Sequence, residues 1–176
     1  MAILDFSDML ARYRSGDRHF QSVKIERVDA FECDLREIDL ADVVIENAYL
    51  PYGNLSRANL QGLIVKRGNF GDAKLTKSNL SRAKLDDVDF SRSNLRYARL
   101  RDASLRGCNL SGADFTGADL TGTDLTGANL TGANFKDAKL NASCLGGANC
   151  FRAINLDIAN AKCDRTTVLP DGHYYP

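Results

Sequence analysis

The sequence repeats with a period of five residues over most of its length. From Ile25 to Leu145 an apolar residue stands at every position divisible by five, and Ala30 is the one small centre. A second, mostly small residue lies two positions before each centre, as at Ala113 and Ala118. Neither an α-helix of 3.6 residues per turn nor a strand of period two keeps a five-residue period on one side. A repeat this regular therefore decides the architecture before local propensities do.

The five-residue unit predicts a chain that winds into a solenoid. Two inward and three outward residues per unit require a corner at each unit, and regular corners produce stacked coils. Such coils would lie at the strand-pairing distance of about 4.8 Å, with each centre above another centre. The Asp or Asn that often precedes a centre suits a corner, because its side chain can accept hydrogen bonds from nearby backbone amides.

The order small residue, Asp or Asn, Leu or Phe, Ser or Thr, Gly resembles the repeat of the pentapeptide-repeat family. It covers residues 23–149 closely and continues less regularly to about residue 163. The resemblance implies an all-β solenoid, a right-handed quadrilateral parallel β-helix with four units per coil. That fold gives about six coils and a rod of roughly 30 Å at the strand-pairing spacing. The opening segment, Leu10 to Phe20, also resembles a helical cap present on some members, many of them cyanobacterial.

The chain ends depart from the repeat, so we predict a short N-terminal α-helical cap over 1–20, a β-helix over 21–163 and a C-terminal cap over 164–176. Apolar residues spaced for one helical face precede the repeat and are expected to cover the open first coil. Branched residues in the small position, such as Val28 and Val43, predict more strand-like edges in the first two coils.

The C-terminal end of the repeat is predicted to be a fraying coil. Asn155 and Asn160 fall on centre positions, where an unpaired polar side chain is costly. Beyond them, the segment Pro170-Asp171-Gly172 predicts a turn. Val168, Leu169 and the terminal tyrosines are expected to cover the exposed end.

Five cysteines are an odd number for a disulfide framework. Cys33 and Cys108 lie in the small inward position and are predicted to be buried thiols. Cys144, Cys150 and Cys163 lie near the C-terminal end, where free thiols are the favoured interpretation and a disulfide or a metal stays open. The N-terminus has no basic flank typical of a signal peptide, and no run of 18 apolar residues occurs. We therefore expect a cytoplasmic protein without membrane contact.

The sequence shows no arrangement typical of an enzyme. Both histidines lie outside the repeat, and no glycine-rich phosphate loop precedes a helix. Asp114, Asp119 and Asp124 form a carboxylate series in sequence, but a four-sided coil would place them on three different faces. They could not then share a metal or act as an acid–base pair. We expect no enzymatic activity, no cofactor and no metal site.

Charge is unevenly distributed although the formal net charge is zero. Residues 1–56 carry six basic and eleven acidic residues, whereas 57–106 carry twelve basic and five acidic ones. Some family members imitate DNA and bind a type II topoisomerase through acidic faces. A DNA-mimicking topoisomerase-binding protein is therefore the alternative function, but it would require a strongly negative surface. Direct binding of nucleic acid is not expected either.

The basic midsection is the candidate interaction surface, for an unknown acidic protein partner. Its cations are expected on two adjacent faces: Arg57, Lys74, Lys77 and Arg96 on one, and Arg82, Arg99 and Arg101 on the next. Solvation of the outward side of the solenoid is the simpler interpretation of the same charges. Tyr49 and Tyr52 are predicted outward aromatics at a corner and could anchor a contact. The tail has no amphipathic helix for dimerisation, so a monomeric protein–protein interaction or scaffold module is expected.

Overall fold

The computed structural model describes all residues from Met1 to Pro176. Its one helix is α1 (Phe6–Arg14), and its strands are β1 (Ala2–Ile3), β2 (Val23–Asp29), β3 (Val44–Tyr49), β4 (Ile64–Val65) and β5 (Gly68–Asn69). Most of the remaining chain pairs through isolated parallel bridges rather than through extended strands. No helix has the length and apolar character needed to cross a membrane.

Residues twenty apart pair with each other from coil to coil. Asn79 bridges Arg99 and Arg99 bridges Asp119, both in parallel orientation. The Leu80 amide donates to the Arg99 carbonyl at 2.7 Å, and the Leu100 amide donates to the Asp119 carbonyl at 2.8 Å. The centres that follow these residues therefore lie one above another along a single wall. The predicted right-handed quadrilateral β-helix is confirmed.

The core is a column of centres and small residues along the solenoid axis. Leu80 and Leu100 are each 1% exposed, and Leu120 is fully buried. Aromatic centres also stack, since the Phe115 and Phe135 rings lie 5.1 Å apart at an interplanar angle of 11°. The offset stacking preferred by aromatic rings is thus built into the twenty-residue register.

Most corners place the residue two positions after the centre in the left-handed region. Glycine supplies this conformation in much of the second half, as at Gly127 with φ of 69°. Side-chain-bearing residues adopt it in the first half, including Lys77 with φ of 60°. The residue before the centre supports the corner as predicted, since Asp124 Oδ1 accepts a 3.0 Å hydrogen bond from the Thr126 amide.

The first three coils omit one corner. Strand β2 runs straight through the expected corner and pairs in parallel with β3, from Lys24 opposite Val44 to Asp29 opposite Tyr49. Neither strand has a left-handed residue at the corner position, whereas Asp87 in the same column has φ of 59°. The strand-like edges predicted from the branched small-position residues are therefore present.

Helix α1 covers the top of the solenoid. Asp5 caps its first turn by accepting a 2.8 Å hydrogen bond from the Ser7 amide. Met9 points into the core and is 1% exposed, while the Tyr13 hydroxyl donates to the Arg36 carbonyl at 2.9 Å. Cys33, expected to be buried, is only partly buried, because the first coil has no complete coil above it.

The repeat register breaks at the C-terminal end. Cys144 pairs with Lys162 and Asn149 with Val168, offsets of 18 and 19 residues instead of twenty. Asn155 and Asn160 are exposed, so the prediction that they occupy inward centres is wrong. The broken register replaces them with partly buried residues that pack against the core, Leu156 and Ile158. Exposing the amides to water avoids the cost of burying them.

A short antiparallel return closes the lower end. Val168 bridges Tyr174 in antiparallel orientation, and the Leu169 amide donates to the His173 carbonyl at 2.7 Å. Thr167 is fully buried beneath the last coil, and its hydroxyl donates to the Leu145 carbonyl at 2.8 Å. Tyr174 is 67% exposed. The expectation that this tyrosine covers the core is wrong, because Thr167 occupies the inward position.

Candidate interaction surface

The twenty-residue register arranges the outward side chains in columns on four faces. We number the faces in chain order. Face 1 contains residues 23–27 and every five-residue segment that lies a multiple of twenty residues further along the chain. Faces 2, 3 and 4 are defined in the same way from residues 28–32, 33–37 and 38–42.

The predicted cations occupy two adjacent faces. We call these seven exposed residues the basic surface: Arg57, Lys74, Lys77 and Arg96 on face 3, and Arg82, Arg99 and Arg101 on face 4. Lys77 lies at the corner where face 3 meets face 4, and the surface wraps around that edge. Asp114, Asp119 and Asp124 lie on faces 3, 4 and 1, as expected from their spacing, since their bridge partners are separate residues.

Carboxylates of neighbouring coils pair with some of these cations. On face 3, Arg57 Nη1 lies 3.3 Å from Glu37 Oε1, and Arg96 Nε lies 3.9 Å from Asp114 Oδ2. The Arg96 guanidinium also lies 6.0 Å from the centre of the Tyr97 ring, at the outer limit of a cation–π contact. Exposed pairs of this kind contribute little to stability, so both arginines stay accessible to another anion.

On face 4, Arg101 has a carboxylate partner. Its Nη1 lies 3.4 Å from Asp119 Oδ2. Desolvation raises the pKa of Asp119, but the hydrogen bonds from Thr121 and the charge of Arg101 outweigh it and leave the pKa lowered. Asp119 therefore stays ionised at neutral pH and offsets part of the positive potential of this face.

The remaining cations of the basic surface have no such partner. Lys74, Lys77, Arg82 and Arg99 have no carboxylate oxygen within 4.0 Å. All are exposed, with their side chains on the outward side of the coil. These four residues hold the uncompensated positive charge of faces 3 and 4 in the midsection, and an acidic ligand would be attracted to them.

A polar groove borders the basic surface on face 3. It encloses about 450 Å³ between Arg57 and Lys77 and contains no apolar lining residue. Its other lining residues are Arg36, Glu37, Asn54, Ser56 and Thr76. Hydroxyl and amide groups beside three cations are suited to hydrogen-bonding a carboxylate, so the groove adds hydrogen-bond donors to the charges of the basic surface.

The predicted aromatic residues lie elsewhere, on face 2. Tyr49 and Tyr52 are each about half exposed, and Phe31 in the coil above is 50% exposed. The Phe31 and Tyr52 rings meet edge to face, 5.8 Å apart at 72°. Sequence reasoning missed Phe31, although its position twenty residues before Pro51 indicates that it lies above that corner. These three aromatic residues and the basic surface lie on different faces and do not form one site.

A second groove lies at the omitted corner, where face 1 meets face 2. It encloses about 530 Å³, and its floor consists of Val28, Ala48 and Gly68. Arg27 and Arg67 stand on one side, with Tyr49 on the other. Sequence reasoning did not single out the two arginines. The available signal was the branched small-position residues, which predicted strand-like edges in the first two coils.

The cysteines are free thiols in different surroundings. Burial raises the pKa of Cys108 to about 12, and its Sγ donates to the Leu85 carbonyl at 2.9 Å. Burial likewise raises the pKa of Cys150 to about 12. Cys144 and Cys163 are partly exposed. A thiol with so high a pKa is a poor nucleophile at neutral pH, so neither buried cysteine is arranged for catalysis.

Solved structures with the same repeat resemble this one. A pentapeptide repeat protein from Nostoc PCC 7120 is 37% identical, over 55% of this chain and 84% of its own, with a TM-score of 0.49. One from the Arabidopsis thaliana thylakoid lumen is 31% identical over 48% of this chain, with a TM-score of 0.47. This chain spans 59% of that protein's length. QnrB1, a plasmid-mediated fluoroquinolone resistance protein, is 22% identical over 84% of this chain and 86% of its own, with a TM-score of 0.53, which shows a shared fold.

No curated protein matches the sequence. The family model of pentapeptide repeats matches in overlapping segments: 25–62, 54–92, 73–112, 93–132 and 113–149. These segments span the stacked coils described above, from the first complete coil to the last regular one. The chain belongs to the pentapeptide-repeat family.

Proposed function

We propose that the protein is a non-catalytic protein–protein interaction module, and that the basic surface binds an acidic protein partner. The observation that carries the proposal is the set of exposed cations without carboxylate partners, Lys74, Lys77, Arg82 and Arg99. Repeat solenoids offer extended rigid surfaces of this kind. Fold alone does not identify a partner, so the charge and the adjoining polar groove support the chemistry of recognition.

Affinity capture from the native host tests this proposal. The wild-type protein is compared at low salt with a double variant, Lys77→Glu with Arg99→Glu, which reverses charge on both faces. Bound proteins should disappear with the double variant and with high salt, because surface electrostatics are screened. Lys136→Glu is the matched control, since it reverses an exposed charge on face 3 outside the basic surface. A partner set that is the same for the wild-type protein and the double variant would refute the proposal.

DNA mimicry is less well supported by the surface. A mimic must present phosphate-like negative charge to a groove built for DNA. Here the net charge is zero, and the midsection carries the unpaired cations. The likeness to QnrB1 at 22% identity concerns the fold. A topoisomerase supercoiling assay distinguishes the two functions, and our proposal expects no inhibition at low micromolar protein.

The proposal includes a monomer in the cytoplasm. Five free thiols agree with a compartment that keeps cysteines reduced. The C-terminal return is a short antiparallel segment rather than an amphipathic helix. Native mass spectrometry should give a single species at the 19.3 kDa mass of the chain, and a dimer peak that persists on dilution would contradict the monomer.

A further inference from the structure

The groove at the omitted corner is a built feature of the first three coils. Its floor runs along the solenoid axis through Val28, Ala48 and Gly68, one residue from each coil. Gly68 is required there, because an added Cβ would lie 2.9 Å from Val65 Cγ1 and 3.2 Å from Val88 Cγ1. Those atoms belong to core side chains, so position 68 faces inward, as do Val28 and Ala48, which are 4% and 5% exposed. The floor therefore has few side-chain atoms, and it is bordered by the column of residues on either side.

The border on face 1 is positively charged. Arg27 is 79% exposed, and its carboxylate contact is Asp29 at 3.7 Å. Arg67 Nε donates to Asn47 Oδ1 at 2.9 Å, and no carboxylate lies within 4.0 Å of its guanidinium. Asp87 occupies the next position of the same column, one coil below Arg67. The groove therefore presents two guanidinium groups with one weak carboxylate contact between them.

The spacing of the two arginines matches a particular peptide conformation. The backbones at Arg27 and Arg67 are two coils apart, which is about 9.6 Å at about 4.8 Å per coil, and the Arg67 side chain reaches toward Asn47 in the coil between them. A polyproline II helix has three residues per turn and a rise of about 3.1 Å, so residues i and i+3 project from one side about 9.3 Å apart. A β-strand does not meet this condition, since i and i+3 point to opposite sides. Tyr49 on the opposite border adds the aromatic wall that polyproline II ligands use.

We propose that this groove binds an extended, proline-rich acidic peptide segment of a partner protein, with carboxylates three residues apart on Arg27 and Arg67. The intervening residues lie on the floor of Val28, Ala48 and Gly68 against Tyr49. The groove is at the corner between faces 1 and 2, diagonally opposite the corner between faces 3 and 4. It is therefore a separate site from the basic surface, and either site can fail its test without the other.

Fluorescence anisotropy with labelled synthetic peptides tests the inference on the full chain. The probe contains Glu-Pro-Pro-Glu flanked by proline. One comparison peptide replaces both glutamates with glutamine, and another places the glutamates next to each other. We expect the probe to bind at least tenfold more tightly than either comparison peptide. Asp29→Asn should tighten binding of the probe further, because it removes the carboxylate that contacts Arg27.

Variants assign the binding to the groove. Arg27→Gln and Arg67→Gln should each weaken probe binding about tenfold, whereas Arg82→Gln, at an exposed cation outside the groove, should leave it unchanged. Thermal melts establish that each variant is folded, and these exposed substitutions should not lower the midpoint. Failure of the probe to bind, equal affinity for the three peptides, or an equal loss with Arg82→Gln would overturn the proposal.

Discussion

Arg92 donates two parallel hydrogen bonds to Asp72 in the coil above it, from Nε to Oδ1 at 2.9 Å and from Nη2 to Oδ2 at 2.6 Å. The residues are twenty apart, so the solenoid register itself brings the fork of the guanidinium onto the carboxylate. The same register forms the Arg57–Glu37 and Lys66–Glu46 pairs. Pairing between coils thus neutralises part of the surface charge, whereas Lys74, Lys77, Arg82 and Arg99 on faces 3 and 4 have no carboxylate within 4.0 Å.

Because of the Asp72–Arg92 pair, the free energy of unfolding should decrease as the pH is lowered into the acidic range. The hydrogen bond from Arg92 lowers the pKa of Asp72 below its ordinary value of 3.8. A carboxyl with a lowered folded pKa stabilises the protein above its unfolded pKa, and the contribution is lost as the pH falls through the folded value. Arg92→Gln should therefore reduce the urea midpoint slightly at pH 7 and not at pH 2. An equal reduction at both pH values would show that Arg92 acts through packing instead.

Leu100→Ala should lower the free energy of unfolding by about 2–5 kcal/mol, because it leaves a cavity between stacked leucines. Leu100 is 1% exposed, with Leu80 and Leu120 above and below it in the same column. Lys136→Ala, at an exposed position of face 3, is the control and should change stability by less than about 0.5 kcal/mol. Urea denaturation measures both, and similar losses would contradict the inward assignment of the centres.

Removing the buried hydroxyl of Ser93 and removing that of Ser78 should change the stability of the protein in opposite directions. Ser93 Oγ is buried without a hydrogen-bond partner, whereas Ser78 Oγ donates to the Leu75 carbonyl at 2.7 Å. Alanine already occupies the small positions one coil above and below each serine, so the substitutions fit. Ser93→Ala should stabilise by about 1 kcal/mol, and Ser78→Ala should destabilise by about 0.5–1.5 kcal/mol. Thermal melts of the two variants provide the comparison; a shift of the same sign in both would refute it.

Gly127 should tolerate asparagine better than valine. Its φ is 69°, and an added Cβ would meet no atom within 4 Å. Any cost of substitution therefore comes from the backbone, and a β-branched residue adopts the left-handed region least readily. Gly127→Val should cost about 1–2 kcal/mol, and Gly127→Asn should cost less. Equal unfolding free energies for the two variants would show that the corner relaxes out of this conformation.

Alkylation of the folded protein should distinguish the five cysteines by how readily each thiol reacts. Burial holds the pKa of Cys108 and of Cys150 at about 12, so iodoacetamide at pH 8 should leave both unmodified in the folded protein. Cys33, Cys144 and Cys163 are partly exposed and should react first. Peptide mapping by mass spectrometry, before and after denaturation in urea, gives the order. Early modification of Cys108 would indicate that the middle of the solenoid opens.

The sequence was sufficient to predict the core and the faces. The position of a residue within the five-residue unit decides whether its side chain points inward, and its position within the twenty-residue coil decides its face. Leu80 and Leu100 stack as expected, and the basic surface lies on the two faces predicted for it. The same arithmetic failed where the chain left the register. Asn160 could be assigned inward only by extending a frame that had lost two residues by Lys162. Asn155 directly follows Ile154, the last residue that bridges its partner, Asn134, at the full twenty.

Other features depend on contacts between side chains that the spacing of residues in the sequence does not predict. Which cations find a carboxylate is decided by side-chain reach, as when Arg101 meets Asp119 eighteen residues away while Arg99 meets none. The groove beside Arg27 and Arg67 arises from an omitted corner, and periodicity predicts a corner at that point. Such conformational exceptions are where three-dimensional information adds most to the candidate sites.

The antiparallel return that joins Val168 to Tyr174 has a consequence for assembly. A parallel solenoid whose last coil lies open could accept the first coil of another copy, and repeated addition of that kind would yield a filament. The reversed segment pairs with the last coil through the single antiparallel bridge between Val168 and Tyr174. It therefore presents the wrong polarity to an incoming parallel coil and opposes end-to-end growth.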